Sequence, residues 1–270
     1  MLKDITFGQY YSANSPIHRM DPRVKIVLLI VLIVFIFISK NAFALLLSAL
    51  FVLTVIVISK IPIKLFLKNL KAILPILILT AIINIFYKDS NPTILLEIWK
   101  LTITKEGLYR AAFMGSRIIL LIFISSVLTY TTTPNDLTDA LEKLLSPLRF
   151  VGLKNAVHTL AMMMTIALRF IPTLIEEAEK IMNAQKARGA DFETGNIKQR
   201  AKALIPILIP LLISSVRRAY ELAEAMECRC YNGGEGKTRM KQLKTSFTDF
   251  AAIAFTFLIC TGVILINIFL

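Results

Sequence analysis

Val24-Lys-Ile-Val-Leu-Leu-Ile-Val-Leu-Ile-Val-Phe-Ile-Phe-Ile-Ser39, then Lys40, then Asn41-Ala-Phe-Ala-Leu-Leu-Leu-Ser-Ala-Leu-Phe-Val-Leu-Thr-Val-Ile-Val-Ile-Ser59: this stretch decides the fold class. Apart from Lys25, neither run contains a charge. Apolar residues in unbroken blocks are the mark of segments solvated by lipid. In hydrocarbon every backbone N–H and C=O must be satisfied internally, so such a block is a helix or part of a closed barrel. Barrel strands alternate apolar and polar residues, and these runs do not.

Three more blocks read the same way: Ala72–Tyr87, Leu108–Tyr130 and Phe247–Leu270. The expectation is an all-α, polytopic membrane protein with about five transmembrane helices. The first three blocks are short against the roughly 20 residues a span usually needs. They must stand nearly upright or rely on flanking lysines that snorkel to the headgroups. The first block starts late and runs directly into a second, which is not the pattern of a signal peptide.

The chain is 56% hydrophobic, yet carries a net charge of +13. Lys60, Lys64, Lys68 and Lys71 read as a basic loop between the second and third blocks, without one acid. The next loop balances Lys88, Lys100 and Lys105 against Asp89, Glu97 and Glu106. By the positive-inside rule the N-terminus and the lysine-rich segment are cytoplasmic. Alternation then places residues 131–246 in the cytoplasm and the C-terminus outside. That insert holds 17 Lys/Arg against 12 Asp/Glu, which agrees in sign. The expected location is the cell membrane, multi-pass, with excess charge serving topology and contact with the anionic bilayer surface. No motif of interleaved basic and aromatic residues points to nucleic acid. Three regions follow: a four-span membrane region over 1–130, a coupling segment over 131–246 and a last span over 247–270.

The insert begins with Thr133 as a natural N-cap, Pro134 in the first turn and Asp136 at the positive helix end. This short helix is expected to end near Ser146, where Pro147 and Gly152 break it. A second helix is expected over about Lys154–Ala187, with Val157, Leu160, Ala161, Met164, Leu168, Ile171, Ile175, Ala178 and Met182 on one face. Its first half is nearly uncharged; its second half carries Glu176, Glu177, Glu179, Lys180 and Lys186. A third helix repeats this grammar, from an apolar stretch over Ala203–Ser215 to Arg217, Arg218, Glu221, Glu224 and Glu227. Its inward face is expected at Leu212, Val216, Ala219, Ala223, Met226 and Cys230, with Asn232-Gly233-Gly234 as the stop.

Both helices end in an arginine between small residues: Ala187-Arg188-Gly189 and Cys228-Arg229-Cys230, 41 positions apart. One reading is simple placement of a cation near the negative end of the helix dipole, worth about 0.3–1 kcal/mol. The other is a docking tip, whose small neighbours let the helix end enter a groove while the guanidinium pairs with carboxylates or carbonyls.

Catalytic chemistry is missing from the pattern. Gly233-Gly-Glu-Gly236-Lys237-Thr238 lacks the glycine that a phosphate-binding loop requires five positions before Gly236, where Tyr231 stands, and a helix rather than a strand precedes it. No strands are evident. His18 and His158 stand without a second ligand or an orienting carboxylate. Cys228-x-Cys230 alone is a poor zinc site, and Cys260 lies in a span. No cofactor or metal is expected. Arg117 is the one charge well inside a span, and pairing with backbone carbonyls is the expected role.

Taken together, these residues resemble the transmembrane T component of energy-coupling factor transporters, ABC-type uptake systems for vitamins and transition-metal ions. Ser15-Pro-Ile-His-Arg-Met-Asp21-Pro-Arg-Val-Lys25 is similar to that family's N-terminal signature. Thr131–Leu148 resembles its short helix after the fourth span, and Leu168-Arg-Phe-Ile-Pro172 its entry to the first arginine-tipped helix. The two arginine tips resemble its paired coupling motifs, with Cys230 where the family often has glycine.

The resemblance implies a non-catalytic subunit. Two cytoplasmic ATP-binding-cassette ATPase subunits would receive Ala187, Arg188, Gly189, Cys228, Arg229 and Cys230. A small membrane S component would bind the substrate and dock on the apolar helix halves, at Met163, Met164, Leu168, Ile171, Leu208, Leu211 and Leu212. The arginine tips would face the ATPases and the apolar ends a partner in the membrane. The competing function class is a self-contained secondary transporter or channel, which should show a polar midplane site and broken spans.

Overall fold

The computed structural model describes residues 10–85, 94–98, 101–147, 154–190, 196–231 and 245–269. These form nine helices: α1 (Pro16–Arg19), α2 (Pro22–Ile38), α3 (Ala42–Ser59), α4 (Ile63–Ile85), α5 (Lys105–Thr131), α6 (Pro134–Leu144), α7 (Lys154–Ala187), α8 (Ile197–Glu227) and α9 (Phe247–Phe269). The fold is helical, as expected, with one addition. Strands β1 (Ile94–Ile98) and β2 (Leu101–Thr104) form a short antiparallel hairpin between α4 and α5. Its signal is small: Leu101-Thr-Ile-Thr104 alternates with a period of two and is rich in β-branched residues. The balanced charges placed in this loop at Lys88, Asp89, Glu97 and Lys100 lie outside the residues or side chains described, as do Gly152, Asn232 and the glycine-rich segment 233–238.

The chain divides into two compact units, one containing Pro134–Gln242 and the other Gln9–Thr133 with Leu243–Leu270. In the second unit α2, α3, α5 and α9 surround a core of Ile36, Phe51, Val52, Ile124, Val127 and Tyr130. Phe66 of α4 is fully buried, edge-on to Phe123 and Tyr130. The outer faces stay apolar: Ile76, Leu79 and Ile83 of α4, Phe43, Leu46 and Val57 of α3 and Phe257, Leu258 and Ile268 of α9 are all exposed. Patches of this extent are covered by lipid or by partners.

The directions of these helices follow from their end contacts. Asp249 at the start of α9 accepts from the Asp21 amide at the start of α2 (3.0 Å), and Asn267 near its end donates to Ile38 O (3.2 Å) and accepts from the Lys40 amide (3.2 Å). α9 therefore runs parallel to α2. α4 and α5 pair antiparallel: Tyr130 Oη donates to Leu65 O and Asn69 Nδ2 to Ser126 Oγ near one end. At the other end Gly107 meets the carbonyls of Ile85 and Asn84, where a Cβ would lie 2.6 Å from Ile85 O.

One sequence expectation is corrected here. Lys64, Lys68 and Lys71 are not in a loop; they lie on the exposed face of α4, which starts at Ile63 immediately after Pro62. Hydropathy locates lipid contact, whereas lysine is a good helix former and Pro suits a helix start, so the helix outruns the apolar block. Among the described residues six helices are long and apolar enough to cross a membrane, as a polytopic membrane protein requires: α3, α4, α5, the greater part of α7, the greater part of α8, and α9. α2, with 17 residues, falls short by length. α7 and α8 qualify through their apolar halves and are the least apolar of the six. Arg117 behaves as expected: its guanidinium donates to Ser39 O at the C-terminus of α2 and lies 4.9 Å from the Phe113 ring centroid.

Candidate functional site: two arginine-tipped helices

α7 and α8 are the elements that carry the two tips. α7 spans 34 residues with Pro172 inside it, and α8 spans 31 with Pro206 and Pro210 inside it. Two contacts fix how they pair. Glu177 accepts from Ser214 Oγ and from Arg218 Nη2, and Tyr231 Oη donates to Met162 Sδ at 2.8 Å. As the α7 partner moves back from 177 to 162, the α8 partner moves forward from 214–218 to 231. The helices are therefore antiparallel.

Each helix ends in the same backbone motif. At the end of α7 the Gly189 amide donates to Lys186 O (3.0 Å) and the Ala190 amide to Gln185 O (3.0 Å), with Gly189 at φ +87°. At the end of α8 the Cys230 amide donates to Glu227 O (2.8 Å) and the Tyr231 amide to Met226 O (3.1 Å), with Cys230 at φ +55°. Both are complete Schellman caps, in which a left-handed residue turns the chain and satisfies the last carbonyls. Arg188 and Arg229 occupy the same position, immediately before the left-handed residue, and both are exposed. Cys230 takes the glycine conformation despite its Cβ. Ala187, Cys228 and Cys230 are also exposed, leaving both arginines flanked by small, accessible neighbours.

Glu177 and Arg218 are themselves 41 positions apart, the same offset as the two tip arginines. Each lies 11 residues ahead of its own tip, and neither interval contains proline. Along an α-helix that is roughly 16 Å in each direction. The two tips thus point to opposite ends of the pair, equally far from one polar clasp. This pseudo-two-fold relation is visible only once the partners are known.

The apolar positions named for docking divide by exposure. Met163 (59%), Leu208 (58%) and Leu212 (66%) are well exposed, as is Met164, while Leu168, Ile171 and Leu211 are partly buried. Antiparallel pairing does not bring the α7 set and the α8 set together; each lies toward the other helix's tip. The inward face expected for α8 is also overturned, because Leu212, Val216, Ala219, Ala223 and Cys230 are exposed, with only Met226 partly covered. The covered stripe is Ile207, Leu211, Ser214, Arg218, Leu222 and Met226. α8 is apolar on several faces in its first half, so period alone leaves its rotation open; the Ser214–Glu177–Arg218 contacts set it.

Three further contacts were not expected from the sequence, and the first corrects the expectation that His158 lacks an orienting carboxylate. His158 does have a carboxylate: its Nδ1 lies 3.2 Å from Glu142 Oε1 of α6. Among the described residues no group of three or more His, Cys, Asp or Glu converges, so this pair lacks a ligand set. Asp249, 1% exposed, supplies the acidic half of a Ser246-x-x-Asp249 capping box by accepting from the Ser246 amide (2.7 Å), a pattern readable before the apolar run. Lys25, buried in α2, donates to Thr131 O (3.0 Å) and Thr132 Oγ1 (3.4 Å) at the end of α5. The segment Ser15–Lys25 is thus a set of ties: Ser15 caps α1, Asp21 caps α2 and holds Arg23, and Lys25 reaches α5.

Comparison with known proteins identifies the family. A family model described as cobalt transport protein (CbiQ) matches residues 13–240. The energy-coupling factor transporter transmembrane protein EcfT of Ruminiclostridium cellulolyticum is 51% identical over 270 residues, covering 99% of this chain and 98% of that protein. The protein of the same name from Clostridium kluyveri is 50% identical, covering 98% of this chain and 97% of its own length. That from Bacillus subtilis is 41% identical, covering 94% of each. The chain belongs to the CbiQ/EcfT family of transmembrane components of energy-coupling factor transporters.

Proposed function

We propose that this chain is the non-catalytic energy-coupling scaffold of an ATP-driven uptake transporter for a vitamin or transition-metal ion. Two ABC-type ATPases would each receive one arginine tip on the cytoplasmic side. A separate small membrane S component would carry the substrate and dock on the apolar faces of α7 and α8, including Met163 and Met164 at one end and Leu208 and Leu212 at the other. The observation that carries this reading is the repeated tip: the same Schellman cap, the same arginine position and the same distance from the Glu177–Arg218 clasp. A pair of similar ends pointing in opposite directions suits a pair of similar partners. The membrane unit, with its N-terminus and the α3–α4 turn on the cytoplasmic side, would hold the module at the bilayer.

In this reading the ATPases move the tips when they close on ATP, and the two rigid, proline-free segments carry that movement to the clasp. The apolar halves beyond it then change their contacts with the S component. A partner shifts such an equilibrium only by its differential contact energy in the two states.

The test is the paired charge reversal Arg188→Glu with Arg229→Glu in the assembled transporter. Losing a charge-paired arginine and opposing its acidic partner is expected to cost about 2–5 kcal/mol of association, so ATPases no longer co-purify and uptake stops. Unchanged ATPase association with full uptake would falsify the docking role. Uptake by the purified chain alone in liposomes would overturn the scaffold reading in favour of a self-contained transporter.

A further inference from the structure

We propose that the start of α2, Asp21–Lys25, is the fixed anchor against which the coupling segment works, with Lys25 and Asp249 as its positioning residues. Such an anchor rests on the scaffold reading above, because a lever needs a point that does not move. Between the described parts of the two compact units the chain passes twice, after Thr133 and between Gln242 and Leu243. Both passages are tied to one turn of α2.

At the first passage α5 ends at Thr131 and α6 begins at Pro134, so only Thr132 and Thr133 lie between them. The Lys25 ammonium donates to Thr131 O (3.0 Å) and Thr132 Oγ1 (3.4 Å), holding the last residue of α5 and the first of the link. Lys25, Thr131 and Thr132 are all buried. Pro134 adds a fixed φ at the start of α6, which leaves little slack between the held residues and that helix.

After the second passage Ser246 precedes α9, and Asp249 lies in its first turn. One Asp249 carboxylate oxygen accepts from the Ser246 amide (2.7 Å) and the other from the Asp21 amide (3.0 Å). Asp21 and Lys25 are joined in turn by a backbone bond, Lys25 N–H to Asp21 O (3.2 Å). That spacing is one helical turn, roughly 6 Å along α2.

This chemistry suits holding a position more than adding stability. A buried charge contributes little net stability, yet moving it off its partners leaves it unsatisfied at high cost. Apolar burial is non-directional and lets helix ends slide, whereas hydrogen bonds weaken steeply with distance and angle. Both charges also stand where a helix dipole favours them, Lys25 at the C-terminus of α5 and Asp249 at the N-termini of α2 and α9.

The test uses the assembled transporter in liposomes with Lys25→Met, Lys25→Arg and Asp249→Asn. Uptake of the radiolabelled vitamin or cobalt ion that its S component carries is measured beside ATP hydrolysis. Lys25→Met and Asp249→Asn are expected to keep both ATPases bound and hydrolysing. Uptake should fall several-fold, so ATP consumed per substrate rises by the same factor. Lys25→Arg, which retains a donor for Thr131 O, should keep the wild-type ratio. An unchanged ratio in Lys25→Met or Asp249→Asn, whether the two rates hold or fall together, makes these residues structural ties only and overturns the anchor. A second measurement needs no variant. Amide exchange at Asp21 and Ser246 in the wild-type complex should be equally slow with and without ATP, and faster exchange with ATP overturns a fixed anchor. A wild-type assembly without ATP-driven uptake instead fails the scaffold reading itself, so the two failures are separable.

Discussion

Cys230 shows how one residue can satisfy a backbone demand at a cost. Its φ of +55° closes the Schellman cap of α8, where glycine would be unstrained. Cys230→Gly is therefore expected to stabilise this helix end by about 1 kcal/mol, the scale of left-handed strain in a residue with a Cβ. Amide exchange at Tyr231, whose N–H donates to Met226 O, should slow accordingly; unchanged or faster exchange would show that the cap carries no strain. His18 makes a second residue-scale case. Its Nε2 donates to Tyr11 O at 2.9 Å and its Nδ1 lies 2.7 Å from Ser15 Oγ, an arrangement that suits the neutral ring. Desolvation by burial pushes its pKa below the usual 6.5; the Tyr11 carbonyl acts in the opposite direction, and Lys25 lowers it further. A depressed folded value means the stability contributed by the neutral ring is fully present above 6.5 and is lost as pH falls through the lower folded value, where a charged ring must be held in the desolvated site. Exchange at the Tyr11 amide, which donates to Tyr130 O, should accelerate over that window in the wild-type chain and not in His18→Phe.

At the scale of elements, two contacts set how helices pair. Gly107 lets α5 approach α4 so closely that an added Cβ would lie 2.6 Å from Ile85 O and 2.9 Å from Thr104 Oγ1. Backbone cannot yield as a flexible side chain does. Gly107→Ala is expected to destabilise the membrane unit by about 1–3 kcal/mol, the usual cost of overpacking, read as a lower Tm in detergent. The Glu177–Arg218 clasp is partly exposed, so its worth as a stability contact is modest. Its larger role is to fix the rotation and crossing of α7 and α8. Glu177→Arg and Arg218→Glu alone should each lower uptake by the assembled transporter, and the charge-swapped double variant should restore it. Additive losses in the double variant would show that the two residues do not act as a pair.

For the whole molecule, the antiparallel pairing of α7 and α8 turns two similar motifs into two separated ends. If each end serves one ATPase, Arg188→Glu by itself should leave complexes retaining a single ATPase per chain, and Arg229→Glu should leave the other. Native mass spectrometry of the purified complex reads this directly, and loss of both ATPases from either variant would argue against separate docking. The sequence alone determined much of this protein. Unbroken apolar runs fixed a helical membrane chain because lipid leaves the backbone no other option. Proline, glycine and the charge pattern placed α6 and α7 within a residue or two, and the repeated Ala-Arg-Gly and Cys-Arg-Cys ends marked the candidate site. Those signals are local, and local chemistry is what a sequence carries. Tertiary structure decided the rest: that the lysines at 64, 68 and 71 belong to α4, that Asp249 and Lys25 tie α9, α2 and α5 together, and that Glu142 faces His158. It also decided which stripe of α8 is covered and that the arginine tips diverge. A helix apolar on several sides has no preferred rotation until a partner supplies one, and here Glu177, far away in sequence, supplies it.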